Sequence, residues 1–272
     1  MKTSAIATSW ERAGHIAVRT LCIAVLAFLL LPIVAIVPLS FSSSSFLVYP
    51  VPDWSLRWYR ELLESAEWMR AARNSFIVAP AATLIATVLG TMAAVGLARV
   101  RFPGKDALLS VLIAPMIVPI VVVGVGTYLF FARLGLADSY AGLILVHAAL
   151  GTPFVLTTVS ATLQGFDHNL VRASSSLGAA PLETFRRVTL PLIAPGVISG
   201  ALFAFATSFD EVVVTLFLAG PAQVTLPRQM FTGIRENITP VIAAVATLLI
   251  VFTTALMLAL EWLRGRRATV AR

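Results

Sequence analysis

LQGFDHNLVRASSSLGAAPLETFRRVTLP, residues 163–191, is the stretch from which the rest of this chain is read. It is a polar interruption between two apolar runs, Ser139–Gln164 and Val188–Phe209, each long enough to cross about 30 Å of hydrocarbon as a helix. Within it, Asp167 suits the N-cap of a helix running through His168, Asn169, Leu170 and Val171 to Leu177. Gly178 suits the left-handed residue that ends such a helix. Pro181 fits the first turn of a second helix, with Glu183 favourable near its N-terminus and Arg186 and Arg187 in its last turn; Pro191 then opens the next span. Leu170, Leu177, Leu182, Phe185 and Val188 give the pair an apolar face. That face suits docking into a partner's groove or resting on lipid headgroups, and the residues alone leave the two level.

Composition places the whole chain in a membrane. Of 272 residues, 58% are hydrophobic and 12% charged, against roughly 45–50% and about 25% for soluble domains. Mean hydropathy is +0.91. Uncharged runs mark six expected spans: Thr20–Phe41, Asn74–Ala98, Ala107–Ala132, Ser139–Gln164, Val188–Phe209 and Ile238–Leu260. The fold class is therefore an all-α membrane protein with six transmembrane helices. Residues 20–263 are expected to form a single transmembrane domain, with a loop at about 165–190, an N-terminal segment 1–19 and a basic tail 264–272.

The net charge of +7 is distributed topologically. Lys2, Arg12, Arg19, Arg99, Arg101, Lys105, Arg172, Arg186, Arg187, Arg264, Arg266, Arg267 and Arg272 place 13 of the 20 basic residues on one side. Arg57, Arg60, Arg70, Arg73, Arg133, Arg228 and Arg235 lie on the other, offset by acids including Asp53, Glu61, Glu64, Glu67, Asp138 and Glu236. The positive-inside rule puts both termini and the 163–191 loop in the cytoplasm, so the charge is no nucleic-acid footprint. The single cysteine, Cys22, excludes an intrachain disulfide. Leu21–Leu39 exceeds the 7–15 residues of a signal-peptide core and reads as an uncleaved first span.

Several local features have a bland reading beside a functional one. SLRWYRELLES, 55–65, carries Leu56, Tyr59, Leu62 and Leu63 at helical spacing, with Ser55 as N-cap. It is expected to be a short amphipathic helix, in the interface or packed on neighbouring spans. Gly104-Lys105 is not a phosphate-binding loop, because Arg99 and Asp106 stand where Gly and Ser/Thr are required. Pro115, Pro119, Gly124 and Gly126 make the third run either a kinked packing helix or a pathway wall. His147 reads as a hydrogen-bonded interhelical residue rather than a proton relay, with no acid nearby in sequence. Gly196 and Gly200 form a G-x-x-x-G pair that permits close helix approach.

Asp210 and Glu211 close a run uncharged since Arg187. Asp210 lies roughly 30 Å of helix rise beyond Leu190, at the outer end of the span or in a re-entrant turn completed by Gly220-Pro221. An ionised acid at the bilayer centre costs about 2.5–3.5 kcal/mol on insertion scales, so the pair must face protein or water. Two readings stand: an outward-facing cavity that attracts a cation such as a polyamine, or a structural pair bonded to Arg228 or Arg235.

The loop resembles the signature of permease subunits of ATP-binding-cassette importers, E-A-A-x-x-x-G, nine residues, then I-x-L-P. Arg172, Ala173 and Ser174, then Gly178, then Val188, Leu190 and Pro191 occupy those places. Arg172 replaces the Glu and Ser174 the second Ala, so the resemblance implies an acid on the ATPase opposite Arg172. SFDEVVVTLFLAGP (208–221), followed by TLPRQMF (225–231), is similar to the spermidine/putrescine branch, and the likeness extends from about residue 55 to 262. It implies a type I importer permease fold with cytoplasmic coupling helices; Asp167 and Phe185 belong to the coupling loop with the signature residues. The chain would then be a non-enzymatic subunit without cofactor, in the bacterial inner membrane. Its implied partners are two cytoplasmic ATPases that bind the ATP, a second, paralogous permease and a periplasmic or extracellular solute-binding protein. Other small solutes (an amino-acid derivative, phosphonate or iron) remain alternatives to a polyamine. So does an ion-coupled secondary transporter. An intramembrane hydrolase is disfavoured, because His15, His147 and His168 have no catalytic partner motif.

Overall fold

The structure, a computed structural model, describes residues 9–100, 102–167 and 169–270, with side chains from 14 to 258 apart from 101 and 168. Lys2, Arg12, Arg101, His168 and the tail arginines therefore lie outside the described side chains. Five helices are long and apolar enough to cross a membrane: Gly14–Ser40, Ala66–Arg99, Tyr140–Gln164, Pro181–Phe209 and Pro240–Leu258. A sixth crossing exists if a sharply bent pair, Lys105–Ile117 and Ile120–Arg133, is one span. Among the described residues the β-type pairing is an isolated bridge, Ser42 to Trp54.

The chain forms two compact units, and the smaller holds α1 (Ser9–Ser40), α2 (Arg57–Glu64) and Gly233–Leu263. In it the amphipathic segment is helical as expected, and Ser55 Oγ accepts the Arg57 N–H at 3.1 Å. The buried stripe differs from the expected one. Trp58 and Leu62 are buried, whereas Leu56 and Leu63 are exposed. Trp58 decides the rotation, because its ring is sheltered only where Nε1–H reaches the Ser42 carbonyl, at 2.7 Å. Tyr59 Oη sits 2.7 Å from Ser40 Oγ, tying α2 to the end of α1.

The larger unit, Ser65–Thr232, is built on α3 (Ala66–Arg99), α6 (Tyr140–Gln164) and α9 (Leu190–Phe209). Lipid offers no hydrophobic drive for helices to associate, so close van der Waals packing must supply it. Small residues let the backbones approach. A Cβ on Gly90 would lie 2.6 Å from Val155 Cβ, and one on Gly151 2.9 Å from Ala204 Cβ. The Gly196/Gly200 pair faces α6 directly: a Cβ on Gly200 would meet Thr158 Oγ1 at 2.5 Å and Val155 Cα at 2.6 Å. The two α6 threonines facing the glycine pair meet their own hydroxyl needs. Thr158 Oγ1 donates to Phe154 O at 2.9 Å and Thr162 Oγ1 to Thr158 O at 2.9 Å, each within α6. Ala86, Val155, Leu156, Val159, Ile193 and Ala204 fill the core around it.

Two expectations require correction. The third apolar run is not one helix: α4 (Lys105–Ile117) and α5 (Ile120–Arg133) meet at 105°. Val118 precedes Pro119 and is driven to the extended region, φ −68° and ψ 133°, which ends α4. The loop's second helix does not stop before the next span either. α8 (Pro181–Thr184) continues through a π-turn, Phe185–Thr189, straight into α9. Pro191 would clash with the carbonyl four residues earlier in a regular helix, and the wider turn relieves this: the Leu190 N–H bonds to Phe185 O instead. Arg186 and Arg187 thus lie inside a continuous helix, not in a terminal turn.

At the turn between α3 and α4, Lys105 Nζ donates to Leu97 O at 2.6 Å and Val100 O at 3.3 Å. The lysine that fails as a phosphate ligand caps the carbonyl end of α3.

The seam gives a direct test. Gly200→Ala forces a methyl against the α6 backbone and should cost about 1–3 kcal/mol, whereas Gly96, with nothing within 4 Å of its Cβ position, should accept Ala without loss. Thermal unfolding of the detergent-solubilised protein should show a lowered midpoint for the first variant alone.

Candidate functional site

The loop joining α6 to α9 begins with Asp167, whose Oδ1 accepts the Asn169 N–H at 2.9 Å and caps α7 (Asn169–Ser176). Gly178 has φ +84°, and the Gly178 and Ala179 N–H groups return to Ser175 O and Ser174 O at 3.0 and 3.2 Å. This is the left-handed ending that the glycine allows. Pro181 stands in the first turn of α8, as its locked φ favours. The two arms are stitched together by Ser174 Oγ and Thr184 Oγ1, 3.0 Å apart. Ser174 is the residue that departs from the signature's second Ala, so the departure supplies this bond.

Arg172 and Ala173 are exposed on α7, and Leu177 and Leu182 are 89% and 67% exposed on either side of the glycine. Phe185 and Val188 are half-buried in the π-turn, while Leu190 and Pro191 begin α9. Arg187 pairs with Glu183 at 3.1 Å across one turn. Ser174, Leu177, Gly178, Glu183, Arg187 and Val188 line a notch of about 330 Å³ at the hinge. The loop thus presents apolar side chains, a free cation and a notch on one compact corner. That combination suits a protein groove with an acidic rim.

At the other end of α9 the chain breaks. Asp210 ends the helix with φ −96° and ψ 0°, and a short helix, α10 (Val213–Leu218), follows Glu211 and Val212. Asp210 is exposed. Glu211 is half-buried and its Oε1 accepts the Val214 N–H at 2.8 Å, capping α10. Burial pushes its carboxyl above the usual range, the Val214 and Val213 N–H groups pull it back, and the Asp210 charge adds to the rise. The structural pairing with arginine is not what Arg228 does. Its Nη1 donates to the Ala219 carbonyl and, at 3.3 Å, to Thr215 O, the open carbonyl end of α10. Glu211 and Arg228 therefore hold opposite ends of one short helix.

Residues that the sequence singled out only weakly hold this elbow. His147 is buried, with Nδ1 2.8 Å from Ser208 Oγ and Nε2 3.2 Å from Thr215 Oγ1. The interhelical reading of His147 is correct, and its partners lie 61 and 68 residues away. Asn74, read only as the start of a span, clamps the turn beyond α10: Nδ2 donates to Ala222 O and Val224 O at 2.9 and 2.8 Å, and Oδ1 accepts from Tyr140 Oη at 2.7 Å. An asparagine at the polar end of a span was the available signal. The bend between α4 and α5 opens a cavity of about 470 Å³ lined by apolar residues such as Val111, Pro115, Val118 and Phe130. Gly124 of α5 admits the Phe217 ring of α10, so the broken third run packs on the acid elbow.

Residues 86–268 match the family model described as "Binding-protein-dependent transport system inner membrane component". The chain belongs to this family. The permease is 38% identical over 230 residues to the putrescine transport system permease protein PotI of Escherichia coli strain K12, covering 82% of each chain. It is 34% identical over 234 residues to the spermidine/putrescine transport system permease protein PotC of Haemophilus influenzae, covering 86% of this chain and 90% of that one. Its fold superposes with a TM-score of 0.76 on a bacterial ABC transporter involved in import of the acidic polysaccharide alginate, at 15% identity over 96% of this chain and 99% of that one. This permease thus has the ABC importer permease fold and is a multi-pass inner-membrane protein.

Gly178 offers a test free of packing effects, since its Cβ position has nothing within 4 Å. Gly178→Ala should therefore lose only backbone freedom, about 1–2 kcal/mol. Hydrogen exchange of the purified permease should quicken across residues 169–184 and stay unchanged in α3.

Proposed function

We propose that this permease lines half of an import path for a polyamine, with the work supplied by ATP hydrolysed on separate subunits. The observation that carries the substrate class is the acid elbow. Two adjacent carboxylates stand where α9 breaks, one exposed and one half-buried, and the neighbouring guanidinium of Arg228 is spent on carbonyls rather than on them. An acid pair at the end of a membrane helix that Arg228 leaves unneutralised attracts a small organic cation. PotI and PotC, whose names carry putrescine and spermidine, support the same class.

In this reading residues 20–263 act as one permease domain, with the termini and the Gly165–Leu190 loop in the cytoplasm, as the basic residues indicate. Two ATPase subunits seat Leu177, Leu182 and the hinge notch in surface grooves, with an acid facing Arg172. A paralogous permease completes the path, and a solute-binding protein delivers the cation, as the family's description supports. The chain contributes no catalysis and no cofactor of its own. When the ATPases close, the loop moves and α9 carries the displacement to Asp210 and Glu211, switching the path between inward- and outward-facing states. An ion-coupled carrier would need neither the docking corner nor the ATPases.

Uptake measured with the reconstituted complex separates these readings. Asp210→Asn and Glu211→Gln should each reduce putrescine uptake roughly 10–100-fold, the loss of one charge-assisted contact, while the ATPases still co-purify. Unchanged uptake in both variants removes the acids from the path. Uptake that follows an ion gradient without ATP hydrolysis removes the ATPase-driven mechanism.

A further inference from the structure

His147 is the one fully buried imidazole among the described residues, and the transport reading above gives it no part. It projects from the first third of α6, beside the apolar cluster of Leu143, Val146, Val214 and Leu218. Burial shuts bulk solvent away from its nitrogens, so each needs a partner. The two hydroxyls that satisfy them straddle the break in the chain. Ser208, on the Nδ1 side at 2.8 Å, belongs to the last turn of α9, and Thr215, on the Nε2 side at 3.2 Å, belongs to α10. Thr215 Oγ1 also lies 3.2 Å from the carbonyl oxygen of Glu211 and donates to it. One side chain on a neighbouring helix therefore fastens both arms of the elbow and reaches, through one hydroxyl, the backbone of an acid.

A structural histidine could stitch any two helices together. This one joins a third helix to both sides of the three-residue break, Asp210 to Val212, that holds the two acids. α10 is only six residues long and would not persist alone. Its N-terminus is capped by Glu211 and its C-terminus by Arg228, but neither contact fixes its angle to α9. The imidazole does, because it is a rigid planar spacer whose two nitrogens diverge toward the two arms.

We propose that His147 is a positioning residue for the substrate-binding acids: it sets the angle between α9 and α10 and so the direction in which Asp210 and Glu211 face the path. The proposal rests on the reading of those acids as the cation site, and the experiment keeps the two apart.

The test uses the complete transporter in proteoliposomes, with His147→Leu, His147→Asn, Glu211→Gln and the His147→Leu/Glu211→Gln double variant. His147→Asn keeps one polar arm and guards against a fold lost to the larger change. Amide exchange across Asp210–Leu218 should quicken at least about tenfold in His147→Leu, less in His147→Asn, with α3 unchanged in both. Putrescine uptake should fall about tenfold in His147→Leu while basal ATP hydrolysis stays within about twofold, and adding that change to Glu211→Gln should cost little more, because coupled residues are not additive. Unaltered exchange in the elbow, or an equal fold-loss of uptake in the wild-type and Glu211→Gln backgrounds, overturns the proposal. Quickened exchange together with normal uptake in Asp210→Asn and Glu211→Gln leaves His147 as the elbow's positioner and strikes instead the reading of the acids as the cation site.

Discussion

The closeness of α6 to α3 and α9 is the constraint from which the rest of the larger unit follows. Helices in hydrocarbon gain nothing by hiding apolar surface from one another, so they hold together only where atoms can touch densely. Gly90, Gly151, Gly196 and Gly200 remove the side chains that would hold them apart, and the space is filled by Val155, Thr158 and Ala204. With the backbones fixed at that spacing, α6 becomes the reference axis of the unit. Its threonines turn their hydroxyls onto their own helix. Tyr140, at its start, and His147 send polar groups across.

Function then depends on what the three-helix frame leaves irregular. Two irregularities lie at the ends of α9: a π-turn where it meets the loop, and a break where it meets α10. Membrane segments tolerate such departures only where the freed backbone groups find partners. Here Glu211 and Arg228 serve α10, Asn74 serves the turn beyond it, and Ser174 with Thr184 close the hinge around Gly178.

Features governed by a residue's own backbone were legible in the sequence. Asp167 as a cap, Gly178 as a left-handed stop and Pro181 in a first turn all follow from local chemistry, and they stand where expected. Pro119 announced irregularity in the third run, but the 105° angle depends on how α5 packs against Phe217, a residue nearly a hundred positions away. Pro191 opens α9 as expected, but the loop's second helix widens through a π-turn to reach it instead of ending. The acid pair was evident from charge alone, whereas its support was not, since Ser208, Thr215 and Arg228 look ordinary until the fold brings them to His147 and to the end of α10. Lys105 has no phosphate-loop pattern around it, and its role as a cap for α3 depends on the turn that folds its ammonium back onto Leu97 O.

Because α8, the π-turn and α9 form one continuous helix, the hinge corner and the carboxylates beyond the opposite tip are joined without an intervening loop. From Pro181 to Phe209 the helix spans 29 residues, about 43 Å at regular helix rise. A tilt of about 5° at one tip sweeps the other through about 4 Å at that length, comparable to the diameter of a methylene chain. A modest rocking at one end of this helix is thereby geared up to the width of a small organic molecule at the other.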